Sequence, residues 1–213
     1  MLSAALQYAE RRWCLFPQDR NKHPCISDWP NRATCEPKEV RQLFQQYPKA
    51  NVAMTTGARS GILVLDIDVK NNQPGLKSLE KLEEIFGPLR TFTTLTPSGG
   101  KHLFFRHPGN GSIRNKNSIK GYPGIELKAD GGCVTLPPSF YISGAQYRSD
   151  EDQPDELIDL PPTLMALLTD GNSSPTSTEN NQKMSVGERH NHLLSIAGKL
   201  RNAGLDPEII FSA

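Results

Sequence analysis

The sequence predicts a mixed α/β (α+β) fold, and three observations carry the prediction. Up to Phe86, segments with helical spacing alternate with short apolar runs. From Phe92 onward the texture changes to short strands separated by glycine turns. Within the first part lies Ile62-Leu63-Val64-Leu65-Asp66-Ile67-Asp68, a near-continuous aliphatic run that reads as a strand buried on both faces.

Residues 1–12 have helical spacing, with Leu2, Ala5, Leu6 and Ala9 on one face and Arg11 and Arg12 in the last turn. Trp13 to Phe16 is a short strand stopped by Pro17, and residues 18–36 read as loop. Pro37 suits the first turn of a helix to about Tyr47, apolar at Val40, Leu43 and Phe44. Asn51 to Thr56 is a strand ended by Gly57. Leu76 to Phe86 is an amphipathic helix closed by Gly87-Pro88. Short strands follow at Phe92–Leu95, His102–Arg106, Gly124–Lys128 and Cys133–Leu136, then a hairpin around Ser143-Gly144. Pro161 opens a helix to about Leu168. Residues 1–169 are expected to form one domain. A linker is expected over 170–186, because residues 170–183 hold no aliphatic or aromatic side chain. Residues 187–213, with Leu193, Leu194, Ala197, Leu200 and Leu205, read as the start of a small helical module cut short.

Composition narrows the function classes. The 213 residues can bury one substantial core, and a net charge of +1 says nothing about partners. Charge is local instead. From Lys101 to Lys128 six bases stand against the single acid Glu126, whereas Asp150 to Asp159 holds six acids and no base. The first segment suits phosphates; the second does not. None of the four cysteines forms a C-x-x-C pair, so no zinc site is expected, and Cys14 and Cys133 read as small buried hydrophobes. No signal peptide and no membrane-length apolar run stand out, which fits a reducing cytoplasm and no membrane partner.

Three segments carry the chemistry. Asp66 and Asp68 point to one face of their strand, roughly 6.5–7 Å apart at Cα. Two such carboxylates repel unless a cation lies between them, and Mg²⁺ or Mn²⁺ suits oxygen ligands combined with phosphates. By itself Asp-x-Asp reads first as two solvated acids. Glu126, on a later strand of the same sheet, supplies a third carboxylate, with Asp130 a lower-ranked rival in the turn before Gly131-Gly132. Ser98-Gly99-Gly100-Lys101-His102 lies between two strands. Its glycines would let backbone N–H groups approach an anion, Lys101 adds charge, and His102 could donate to a phosphate oxygen. Alone, a Gly-Gly turn reads as a hairpin and a single histidine as structural. Jointly these parts have the layout of a two-metal nucleotidyl transferase. No P-loop, G-x-S-x-G elbow or G-x-G-x-x-G fingerprint competes.

In these segments the chain resembles the bifunctional DNA primase/polymerase N-terminal (prim-pol) domain of the archaeo-eukaryotic primase superfamily. The ordered set includes Phe16-Pro17, Lys22-His23-Pro24, the strand from Asn51 to Gly57 and the Asp66/Asp68 pair. It continues through Thr96-Pro97-Ser98-Gly99-Gly100-Lys101-His102, then Gly124-Ile125-Glu126, Gly131-Gly132 and Pro137-Pro138-Ser139, with the Gly144 and Tyr147 spacing. It covers about residues 1–150. The resemblance implies an N-terminal α/β unit packed on an antiparallel, RNA-recognition-like sheet, with the active site in the cleft. It implies metal binding by Asp66, Asp68 and Glu126, the last standing where the family usually has Asp. Nucleotide binding falls to Ser98, Gly99, Gly100, Lys101 and His102, and catalysis to the three acids with His102. The expected cofactor is Mg²⁺ or Mn²⁺. The expected partners are single-stranded DNA template and primer, NTP or dNTP, and a possible helicase domain or protein. Arg106, Arg114, Lys116 and Lys120 would track nucleic acid. Two alternatives stay open at this point: a catalytically weak nucleic-acid-binding replication initiator module, and a metal-dependent nuclease.

Overall fold

The computed structural model describes residues 1–109 and 111–169. The linker expected over 170–186 and the helical module expected over 187–213 lie outside the described residues.

The N-terminal elements build a three-stranded antiparallel sheet. Helix α1 (Leu2–Glu10) leads into β1 (Leu15–Gln18), a short helix α2 (Trp29–Arg32), α3 (Pro37–Gln46) and β2 (Asn51–Thr55). A late strand, β7 (Cys133–Thr135), completes the order β1-β2-β7. Strand β1 does not stop at Pro17. It is an edge strand, and the Pro17 carbonyl accepts from the Cys25 amide on the side away from β2, so the missing N–H removes no ladder bond. Helix α2, inside the segment expected to be loop, is a single turn begun by Trp29-Pro30.

The second sheet positions the chemistry. It is built from β3 (Ile62–Ile67), α4 (Gly75–Phe86), β4 (Thr93–Leu95), β5 (Lys101–Arg106) and β6 (Ile125–Lys128). The short strands β8 (Arg148–Ser149) and β9 (Ile158–Asp159) add to it, and α5 (Pro162–Thr169) follows. The order β6-β3-β5-β4-β8 is antiparallel throughout, with β9 parallel to β5. Its four main strands have the order of an RNA-recognition-like sheet. One crossover is α4; the other, between β5 and β6, is a loop rather than a helix.

Alternation along β3 sends its side chains into two different apolar clusters. Leu63, Leu65 and Ile67 face α4 and α5, packing on Leu79, Leu82, Leu164 and Leu168. Ile62 and Val64 face the other way, onto Leu15, Val52, Met54 and Val134 of the first sheet. Trp13 anchors that interface, stacked between Tyr8 and Phe104 with centroids 5.4 and 5.6 Å away. A fully buried aromatic of this kind contributes about 1.5–3 kcal/mol. Cys14 is buried as expected, whereas Cys133 is partly exposed.

Candidate active site

The face of β3 that packs on the first sheet turns from apolar to ionisable along its length. Ile62 and Val64 are followed, at the same two-residue period, by Asp66 and then Asp68. Sheet register extends this point sideways: Asp66 is opposite Glu126 on β6 and His102 on β5, and His102 is opposite Thr94 on β4. One row across the sheet therefore reads Glu126, Asp66, His102, Thr94. It lies where the intersheet core ends and a pocket opens. Asp66, Asp68, Ser98 and His102 line that pocket with Thr96, Lys22, Lys70, Tyr141 and Tyr147.

Each wall has a local cause. The turn between β4 and β5 sits tightly on the end of β3. Gly99 takes φ +89°, and a Cβ on Gly100 would lie 2.1 Å from the Ile67 carbonyl oxygen. The Gly99 amide donates to the Thr96 carbonyl, so the two glycines shape the turn and bring Ser98 and His102 to the pocket. At the opposite wall, the loop after β1 delivers Lys22, which adopts φ +70°. Its ammonium lies 5.9 Å from the Tyr147 ring centroid, and Lys70 caps the Tyr141 ring at 4.6 Å. Burial disfavours the Lys22 ammonium, but Tyr147, Asp66 and Tyr141 outweigh it and its pKa rises. The pocket thus holds a firmly charged cation facing two carboxylates.

His102 is 4% exposed, with Nε2 3.5 Å from Asp66 Oδ1. Burial lowers its pKa, against the pull of the Asp66 charge, so the imidazole is neutral at neutral pH. Its Nδ1 is buried without a hydrogen-bond partner among the described residues. Lys128, two residues beyond Glu126 on the same face, forms an ion pair with Glu126 and lies 3.9 Å from Asp66 Oδ2. Asp68 Oδ1 accepts the Lys70 amide at 2.8 Å.

Several sequence-predicted residues lie elsewhere. Lys101 points away from His102, as strand alternation requires, and pairs with Asp150 at 2.9 Å. Asp150 belongs to the acidic run, whose Asp155 and Asp159 pair with Arg11 and Arg106. That run therefore pairs within the molecule, with Arg11 at the C-cap of α1 and with Lys101 and Arg106 of β5. Arg114 and Lys116, in the β5–β6 loop, form backbone β-bridges with Asp130 after β6 and Leu127 within it, and Lys116 and Lys120 line a separate cavity with Leu167 of α5. None of Arg106, Arg114, Lys116 and Lys120 lines the carboxylate pocket. The rival acid Asp130 is occupied structurally: its carboxylate accepts the Ala58 and Ile113 amides, each at 2.7 Å.

Sequence reasoning did not pick out Lys70 or Tyr141 as pocket residues, nor Lys128 as the partner of Glu126. Lys22 and Tyr147 were visible only as members of a motif. For Lys128 a signal existed, since its two-residue spacing from Glu126 puts both on one face.

One pocket on the antiparallel sheet thus combines the carboxylates of Asp66 and Asp68, a buried neutral histidine and a cationic wall of Lys22 and Lys70. Residues 5–163 match the family described as bifunctional DNA primase/polymerase, N-terminal (Prim-Pol), and the chain belongs to that family. Its function is accordingly of the DNA primase/polymerase type, as a nucleotidyltransferase-type enzyme that binds nucleic acid and nucleotide. Prim-Pol domains depend on divalent metals. No curated protein matches the chain. Among the described residues, no helix is long and apolar enough to cross a membrane.

Proposed function

We propose that the protein carries out template-directed nucleotidyl transfer, making or extending primers on single-stranded DNA from NTPs or dNTPs with Mg²⁺ or Mn²⁺. The observation that carries this reading is the row Glu126, Asp66, His102 across three strands, of which Asp66 and His102, with Asp68, line a pocket walled by Lys22 and Lys70, while Glu126 stands in the row beside it. The side chains suit the metal by type: Asp66, Asp68 and Glu126 are all-oxygen donors near one end of one sheet face, and they would hold it. When bound, a divalent ion lowers the pKa of an attacking hydroxyl and neutralises a leaving pyrophosphate.

The chain's own groups do the rest. Lys22 and Lys70 offer charge to the triphosphate. Ser98 and Thr96 offer hydroxyls at the pocket wall. His102, neutral and held in place by burial, can donate to a phosphate oxygen without bringing a charge of its own. Nucleic acid would run along the β5–β6 loop, where Arg114, Lys116 and Lys120 lie, and the pocket would receive the incoming nucleotide. Retention of all three acids favours this reading over a binding-only module. The cationic wall favours it over a nuclease.

Primer synthesis on single-stranded DNA, with labelled NTP or dNTP and Mn²⁺ or Mg²⁺, tests the proposal with and without an annealed primer. Product without primer, absent in the Asp66→Ala/Asp68→Ala variant, establishes priming. Product only with primer establishes extension. DNA binding with no product in either lane overturns the enzymatic reading.

A further inference from the structure

Lys128 engages the same carboxylate oxygens that a divalent ion would need. Strand β6 places it opposite Val64, one step along the face from Glu126. Its ammonium pairs with Glu126 and stands 3.9 Å from Asp66 Oδ2, while the side chain keeps 23% exposure. One cation of the chain therefore already bridges two of the three acids. The third, Asp68, accepts the Lys70 amide. Among the described residues no group of three or more His, Cys, Asp or Glu side chains is arranged to hold a metal. The acids occupy adjacent places in the sheet, yet their oxygens are turned toward donors of the protein itself.

A metal shared by Asp66 and Glu126 needs their oxygens at about 2.0–2.1 Å for Mg²⁺. An ammonium on those oxygens blocks that approach and repels the ion. The partly exposed Lys128 stem can swing its head into solvent, which frees Glu126. We infer that Lys128 is a built-in counter-cation that sets the metal affinity of the site: it retains Glu126 until a nucleotide triphosphate adds enough negative charge for metal to displace it. The inference rests on the proposed function and deepens it. Lys128 is a positioning residue that acts through Glu126. Metal alone binds weakly, metal with triphosphate binds well, and the difference is a coupling between the two ligands that Lys128 creates.

Mn²⁺ binding to the full chain, followed by the electron paramagnetic resonance signal of free Mn²⁺, tests this without any turnover. It is measured with the metal alone and with a triphosphate whose α–β linkage cannot be hydrolysed. Lys128→Met and Lys128→Gln are expected to bind Mn²⁺ alone roughly tenfold tighter than the parent chain. The triphosphate should then tighten binding less than it does in the parent. Lys128→Arg, which keeps the charge, should behave like the parent. Circular dichroism confirms that each variant folds. Unchanged or weaker Mn²⁺ binding in folded Lys128→Met and Lys128→Gln overturns the inference. Asp66→Ala/Asp68→Ala separates the two levels. If it leaves Mn²⁺ binding intact, the site reading itself fails. If it removes binding while the neutral Lys128 variants show no gain, only the role of Lys128 fails.

Discussion

Asp66 and His102 face each other across the β3–β5 ladder, with Nε2 3.5 Å from Oδ1 and the imidazole almost wholly buried. The ring's Nδ1 is buried without a partner among the described residues. An unsatisfied buried polar atom costs about 1–3 kcal/mol, so stability alone would favour an apolar residue here. His102→Leu is therefore expected to keep or raise the thermal midpoint. It should also lower nucleotide incorporation by about 100-fold, the scale of losing one positioned donor. Thermal unfolding and primer extension on the same preparation check both halves. Full activity in this variant would remove His102 from the reaction.

Lys22 makes a different kind of contribution. It reaches the pocket from the loop after β1, and its raised pKa keeps it charged through the working range. Charge held against a triphosphate acts on ground state and transition state alike. Lys22→Met should raise the nucleotide KM about tenfold and change kcat little. Steady-state kinetics with varied nucleotide at fixed template distinguishes this from a loss of kcat.

The two turn glycines should respond unequally to alanine. At Gly99 the cost is conformational, since φ is +89° with no close neighbour beyond Val69 Cγ2 at 3.9 Å, and about 1–2 kcal/mol is expected. At Gly100 the added Cβ meets the Ile67 carbonyl oxygen at 2.1 Å, and backbone within a central strand cannot yield cheaply. Gly100→Ala should cost at least about 3 kcal/mol and impair activity by moving His102. Urea unfolding of the two variants checks the order.

Asp130 predicts a pH dependence. Burial opposes its charge, but amide hydrogen bonds from Ala58 and Ile113 outweigh that and hold its pKa below the usual carboxylate value. A depressed carboxylate stabilises the fold above its unfolded pKa, about 3.9, and the contribution is lost as pH falls through the lower native value. Asp130→Asn should destabilise by about 2 kcal/mol at pH 7, and the gap to the parent should close below about pH 4. Denaturant midpoints across that range check the sign. A constant gap would assign the effect to packing.

Local regularities were legible in the chain. The continuous aliphatic run at Ile62 identified a strand buried on both faces, and period two put Asp66 and Asp68 on one of them. The spacing of Val40 and Phe44, or of Leu79 and Leu82, identified helices α3 and α4. These follow from alternation and helical pitch, which are properties of neighbouring residues. Strand ends were less legible. Pro17 looked like a stop, but an edge position gives a strand a side on which proline costs nothing.

By itself, then, the sequence determined the longer elements, the carboxylates and the turn that carries His102, though not α2, β8 or β9. Tertiary structure decided the company those residues keep. It set Lys22 and Tyr147 beside the acids, spent Lys101 on Asp150, tied Asp130 to two loop amides and laid Lys128 across Glu126 and Asp66. Most of these pairings join residues dozens of positions apart, and even the nearby pair Glu126 and Lys128 meets Asp66 only through the register of β3 against β6. Such register is fixed when whole faces bury their apolar side chains at once, so local pattern names the groups and only the closed sheet decides which charges meet.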